Sequence, residues 1–173
     1  YRLTADLDMT GYTWGESRAT VGYSPFMLDG DGHTVSNLVI TSVSSDGYSR
    51  YYGMFYKTSS YPVTFKDIVF ENPVLSGQGG SSGRQGTMGL LVSEASGSGR
   101  LTFERVGIVN GTITMTYGSS STSLQQNGLF VGYTSSDTYF TNCFATGTIK
   151  SASSDYRMNA GGFAGGCHSS PTI

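Results

Sequence analysis

The sequence predicts an all-β fold, a parallel β-helix (β-solenoid) of about four to five coils in a single domain. Three observations carry this. Asn127-Gly128-Leu129-Phe130-Val131-Gly132 is echoed by Tyr52-Gly53-Met54-Phe55-Tyr56, Met88-Gly89-Leu90-Leu91-Val92 and Gly161-Gly162-Phe163-Ala164-Gly165. With Gly53, Gly89, Gly128 and Gly162 taken as equivalent, the steps are 36, 39 and 34 residues, a period that marks a repeat architecture. The composition, 25 Gly among 173 residues with abundant Ser, Thr, Tyr and Phe, favours strands and turns, and no window carries the 3.6-residue apolar period of a helix. Finally, four six-residue strands align: Val35–Ile40, Phe65–Phe70, Phe103–Ile108 and Phe140–Ala145.

Taken in order, Tyr1 to Met9 alternates, with Leu3, Ala5, Leu7 and Met9 on one side, and reads as a half-buried strand. Gly11 to Ser24 reads as a loop, with Trp14 as a lid over the open end of the core, which a terminal coil needs. Phe26-Met27-Leu28 is a short strand and Asp29-Gly30-Asp31-Gly32-His33 a tight turn. Residues 1–34 thus form a leading strand and cap, followed by repeats at 35–60, 61–99, 100–137 and 138–173, the last truncated.

Within each repeat the first strand sets up columns: Val35, Phe65, Phe103, Phe140; then Leu38, Ile68, Val106, Cys143; then Ile40, Phe70, Ile108, Ala145. The step between the first two columns breaks alternation. A bend at the third position restores it, and Asn37, Asp67 and Asn142 suit a bend, with Arg105 the exception. A second short strand follows at Val74-Leu75, Thr112–Met115 and Thr148-Ile149. A polar insert comes next, and a short buried Gly-apolar-apolar strand closes the unit. The chain opens on Tyr1 in mid-pattern, as a mature fragment would, and Pro171-Thr172-Ile173 repeats Pro62-Val63-Thr64 as though another coil began.

A formal net charge of −2 leaves no basic footprint for nucleic acid. No run of about 18 apolar residues is present to span a membrane as a helix. Two cysteines are too few for a disulfide scaffold. The Ser/Thr/Tyr-rich, charge-poor composition suits an extracellular or cell-surface setting.

Units built on Gly-Leu-Val-Gly resemble the GLUG-motif repeats of bacterial surface adhesins, which also accompany immunoglobulin A-cleaving metalloproteases. The lead-in carries the resemblance further: Tyr1-x-Leu3-x-x-Asp6-x-Asp8 with Trp14 downstream, then Asp29-Gly30-x-Gly32-His33-Thr34-Val35-Ser36-Asn37-Leu38. Phe26 departs from it, standing where a Gly is usual, and the closing Gly is kept only at Gly165 and, one residue late, at Gly132. The resemblance implies a right-handed parallel β-helix used on the bacterial cell surface for adhesion or as a stalk.

Candidate sites are few. Asp29-Gly30-Asp31-Gly32 invites calcium, but the later loop positions are His33, Thr34, Val35 and Leu38 with no terminal Glu, so a tight turn is the reading. Asp6 and Asp8 share a strand face as two carboxyls of a glycosidase would, yet no matching cluster appears on a later coil. His33 and His168 lie in no metal-like spacing, and no His-Glu-x-x-His or nucleophile elbow is present. No cofactor or metal is expected. Cys143 reads as a buried thiol, with a Cys143–Cys167 disulfide as the other reading. Asn110-Gly111-Thr112 fits a glycosylation sequon. Thr112, Thr114 and Thr116 with Thr146 and Thr148 suggest an ice-binding ladder that Val74 and Leu75 interrupt.

The inserts carry the best functional signal. Thr41–Tyr51, Ser76–Thr87, Thr116–Gln126 and Lys150–Asn159 fall at one point of the coil and so project from one flank. They bear Tyr48, Arg50, Tyr51, Arg84, Tyr117, Tyr156 and Arg157, flat side chains with hydrogen-bonding tips that suit a host or neighbouring-cell glycan or protein. The functional expectation is a non-catalytic adhesin-type repeat domain that binds through this flank. The alternatives are a structural stalk or a carbohydrate-active β-helix enzyme. End-to-end association through an uncapped last coil is a further expectation.

Overall fold

The computed structural model describes residues 1–14, 20–41, 44–45, 50–78, 86–116, 124–151 and 157–168. Among these residues there is no helix. Every strand pair is parallel except a hairpin between Ser44–Ser45 and Arg50–Tyr52. The chain is a β-solenoid of about three turns with partial coils at each end, fewer than the four to five expected. Rungs pair into one ten-stranded and two five-stranded sheets.

The large sheet is a wall folded into three panels. Of its long strands, Val63–Glu71 runs through the first fold and Leu101–Thr116 through both. The first fold falls on a column of residues in the left-handed region: Asp31, Asp67, Arg105 and Asn142, with φ of 51–53°. The second falls on Asn37, Asn72 and Asn110, with φ of 52–58°. Asn and Asp tolerate this conformation because their short side chains bond locally. The bend expected at Asp67 and Asn142 is therefore present, and Arg105 shares it although its side chain has no such aptitude. Asn37 belongs to the second fold instead.

The interior columns follow the panels. The first is Leu28, Phe65, Phe103 and Phe140, paired in register. The stacked rings of Phe65, Phe103 and Phe140 sit 5.2 and 5.1 Å apart. The second panel places Val35, Phe70, Ile108 and Ala145 in line, and the third Ile40, Leu75, Ile113 and Ile149. Val35 and Ile40 thus each lie one column further along the coil than expected, because the Asp29–His33 turn holds two more residues than the corresponding fold in the next coil. Tyr1–Met9 is likewise not one strand. An isolated bridge at Arg2 and a two-residue strand Leu7–Asp8 flank the stretch that crosses this turn.

The Gly-apolar-apolar segments are not strands either. Gly86–Gly89 and Val92–Ala95 are separate strands in the two small sheets, and Leu90-Leu91 is the bend between them. The same holds at Leu124–Gly128 and Val131–Thr134, with Leu129-Phe130 as the bend. Each coil therefore sends an arch into the space enclosed by the wall. Residues 86–93 and 125–132 are buried throughout. At the tip, Phe130 packs against Phe103 and Phe140 on the first panel, while Leu90 and Leu129 close on Gly111 at the second fold.

The two limbs of each arch touch backbone to backbone. A Cβ on Gly89 would overlap the carbonyl oxygen of Val92, and one on Gly128 that of Val131, so only glycine fits. Where a side chain does sit between the limbs it is small: Ser93 Oγ donates to Thr87 O at 2.9 Å. In the last coil it is Gly161, not Gly162, that pairs with Gly128, and its Cβ would overlap Ala164 O. Gly162 has open space around it. The vertical contacts are accordingly Met54–Leu90–Leu129–Gly162 and Phe55–Leu91–Phe130–Phe163.

Trp14 pairs in register with Ile40 and packs edge-on against Phe55, its indole Nε1 donating to Met54 O at 2.8 Å. It lines an apolar cavity of about 500 Å³ at this end of the stack, together with Tyr1, Val21, Phe26 and Phe55. Pro171–Ile173 lie outside the described residues.

Candidate functional site

The inserts leave and return at vertically aligned points. Strands run out in register at Gln78 with Thr116 and at Met115 with Ser151. They come back in register at Arg50, Gly86, Gln125 and Met158. The strands extend further into the inserts than the sequence suggests. Tyr51 lies within Arg50–Tyr52, half-buried, with its ring 4.9 Å from that of Tyr56, and is not a loop residue. Arg50 and Arg157 open the returning strands, and their side chains lie outside the described residues. Tyr48, Arg84, Tyr117 and Tyr156 also lie outside them.

The returning strand Leu124–Gly128 holds a feature that sequence reasoning missed. Gln125 and Asn127 are wholly buried, and neither side-chain amide has a hydrogen-bond partner. They point to the same side of the strand, Gln125 in register with Arg50, Gly86 and Met158, and Asn127 with Tyr52, Met88 and Ala160. Read as the polar end of the Thr116–Gln126 insert, Gln125-Gln126 looks solvated. The signal that could have placed it inside is the alignment of Gln125-Gln126-Asn127 with Gly86-Thr87-Met88.

The acidic candidates are engaged as caps and ion pairs. Asp6 Oδ1 accepts the backbone N–H of Thr34 at 2.9 Å and lies 3.1 Å from His33 Nδ1. These contacts, the backbone one first, hold its carboxyl below the usual range. Asp8 Oδ1 accepts from Asn37 Nδ2 and from the hydroxyl and backbone N–H of Thr10, which bring its pKa down to about 2. Asp29 bonds the N–H of Asp31, closing the Asp29–His33 turn, and its other oxygen pairs with Lys66 at 2.9 Å. Asp31 pairs with Arg2. The Asp-Gly-Asp-Gly segment is thus a turn whose carboxylates already have cations. Along the same corner Asp67 pairs with Arg105, which also meets Glu104. Among the described residues no group of three or more His, Cys, Asp or Glu is placed to hold a metal.

Both cysteines are free. Cys143 sits at the first fold of the wall with its Sγ 3.4 Å from Phe103 O, and Cys167 ends a strand of a small sheet beside Thr134. Burial pushes both thiols up. The disulfide reading is not realised. Thr112 pairs with Thr148 but rests on Val74 and Val39, and Thr114 is followed by Lys150, so the threonines form no continuous flat array. Asn110 occupies the second fold, its amide donating to Asn72. His168 is held through its backbone N–H to Thr134 O.

A second concavity lies where the turns lead from the small sheets back to the first panel. It measures about 570 Å³ and is polar, lined by Ser60, Pro62, Thr64, Ser98, Arg100 and Asp137 among others. The guanidinium of Arg100 lies 4.8 Å over the ring of Tyr139.

Comparisons with models of known families, with curated proteins and with solved structures found no match for this chain.

Proposed function

We propose that this chain is a non-catalytic cell-surface β-solenoid of the bacterial adhesin type, akin to GLUG-motif repeat regions, that takes a glycan or a protein on its insert-bearing flank. The observation that carries the reading is the alignment of the insert anchors: Gln78 over Thr116 on the way out, Arg50, Gly86, Gln125 and Met158 on the way back. Such an arrangement gathers variable segments on one side of a rigid stack, where solenoids commonly bind. Asp6 and Asp8, the carboxylates an enzyme reading would recruit, are instead engaged in capping the neighbouring rung.

The test is a triple change of Tyr48, Tyr117 and Tyr156 to Ala, read on glycan and host-protein arrays. Loss of retention with an unchanged melting temperature supports flank binding. Retention equal to that of the parent refutes it and favours a spacer role, to which the unbroken Phe65–Phe103–Phe140 column is suited.

A further inference from the structure

The groove beside Arg100 belongs to a different corner of the coil from the inserts, so a ligand there is independent of binding at the flank. Its walls are turns stacked on turns. Ser135 N–H donates to Ala95 O at 2.8 Å and Ser136 Oγ to Gly97 O at 3.0 Å. Thr134 and Thr138 both donate to Ser136 O, at 3.0 and 3.1 Å. In the turn below, Gly97 has a φ of 96° and a Cβ there would stand 3.0 Å from Ser59 O. These links fix the groove on a rigid frame, as a pre-formed site requires.

The groove brings two exposed charges of opposite sign together, while Lys150 and Glu71, two other exposed charges without an ion pair among the described residues, do not line it. Arg2, Lys57, Lys66 and Arg105 each hold an ion pair. Arg100 and Asp137 share one groove, yet among the described residues neither side chain has an ion pair or a hydrogen bond. The guanidinium carbon of Arg100 lies 4.8 Å from the centre of the Tyr139 ring, and its N–H groups remain available as donors. Asp137 offers only acceptors. The groove is also lined by Ser60, Thr64, Ser98 and Thr102, whose hydroxyls can do both.

We infer that this groove binds a neutral saccharide, one or two sugar rings at the end of a glycan. Adjacent sugar hydroxyls accept from the Arg100 fork and donate to the Asp137 carboxylate, so one polyhydroxylic ligand satisfies both charges without bringing its own. An anion would satisfy Arg100 and be repelled by Asp137, and a cation the reverse. Pro62 supplies an apolar wall for a ring face. The volume of about 570 Å³ lies within the range of small-ligand sites.

The experiment is amide NMR titration of the whole chain with glucose, galactose, mannose, N-acetylglucosamine, lactose, maltose and chitobiose, each to roughly 10 mM, about tenfold above a 1 mM Kd. The expected result is shifts at Gly99, Arg100 and Asp137 with at least one sugar. The near-isosteric Asp137→Asn and the truncation Arg100→Ala should each weaken that sugar about tenfold or more. Lys150→Ala and the triple tyrosine variant of the flank should leave it unchanged. No shift with any sugar overturns the inference, as does a sugar response that survives both groove variants. Shifts confined to titration with a zwitterionic amino acid, run alongside, also overturn it.

Discussion

Gly161 and Gly162 are adjacent, alike in the sequence, and opposite in what a methyl group would meet. At Gly162 an added Cβ finds nothing within 4 Å, and its φ lies outside the left-handed region. At Gly161 it would overlap the carbonyl oxygen of Ala164 and lie 3.0 Å from the Ala164 carbonyl carbon. At Gly128, one rung inward, it would overlap Val131 O and also stand 2.7 Å from Gly165 N and 2.9 Å from Ala164 Cα. Those neighbours are backbone on the opposite limb of the arch and on the next rung, so none can rotate away. Overpacking of this kind costs about 1–3 kcal/mol. Gly128→Ala, closed in on two sides, belongs near about 3 kcal/mol, and Gly161→Ala, on the outermost rung, near about 1–2 kcal/mol. Gly162→Ala should be neutral or stabilise by up to about 1 kcal/mol through the unfolded chain. For a chain of this size each kcal/mol moves the melting temperature by about 2–4 °C. Calorimetry should therefore rank the variants Gly128→Ala lowest, Gly161→Ala next, and Gly162→Ala at or above the parent. A destabilised Gly162→Ala beside a tolerated Gly161→Ala would refute the register of the last rung, and with it the arch as the repeating unit.

Four further outcomes are expected. Gln125→Met and Asn127→Leu remove buried amides with no partner, so each should raise stability by about 1–3 kcal/mol in urea unfolding; a loss would show that those amides are satisfied. Arg105→Asn, which matches Asn142 in its column, should be more stable than Arg105→Val by about 1–2 kcal/mol, the left-handed penalty. The Asp8 carboxyl should titrate near 2 by carbon NMR. Its folded pKa is depressed, so its contribution to stability is present above the ordinary value of 3.8 and lost as pH falls toward about 2; a midpoint near 3.8 would mean the Asn37 and Thr10 contacts are absent in solution. Finally, a thiol reagent should modify exposed Cys167 faster than half-buried Cys143, and dithiothreitol should leave the melting temperature unchanged; equal reactivity, or a drop on reduction, contradicts two free thiols.

The period, the all-β class and most interior columns are legible in the sequence because a parallel stack repeats each buried position at nearly constant spacing. The alignment fails at Val35 because the Asp29–His33 turn is longer than its counterparts, and a local length change slides everything read by counting. It fails at Gly162 because a doubled glycine offers two equivalent matches and only packing chooses between them. The arch is hidden for another reason. Gly-Leu-Leu-Val looks the same as a short buried strand, and the telling pattern is the pair of small residues four apart, Gly89 and Ser93, Gly128 and Gly132, Gly161 and Gly165, where two limbs press together. Polarity alone assigns Tyr51, Gln125 and Gln126 to the inserts, and polarity cannot register burial imposed by strands above and below. The groove escapes a reading of the sequence because Arg100 and Asp137 are far apart along the chain and ordinary one at a time.

Among the described residues the strand-pairing hydrogen bonds between coils run along the stack, linking aligned strands one rung apart. Mechanical load applied between the first and last coils therefore falls on them in series and peels the outermost coil before its neighbour is strained. Load applied sideways, at the inserts, is carried by the covalent backbone of several coils in parallel and by the interlocked arches behind them. The same body is soft when stretched end to end and stiff when tugged from the side.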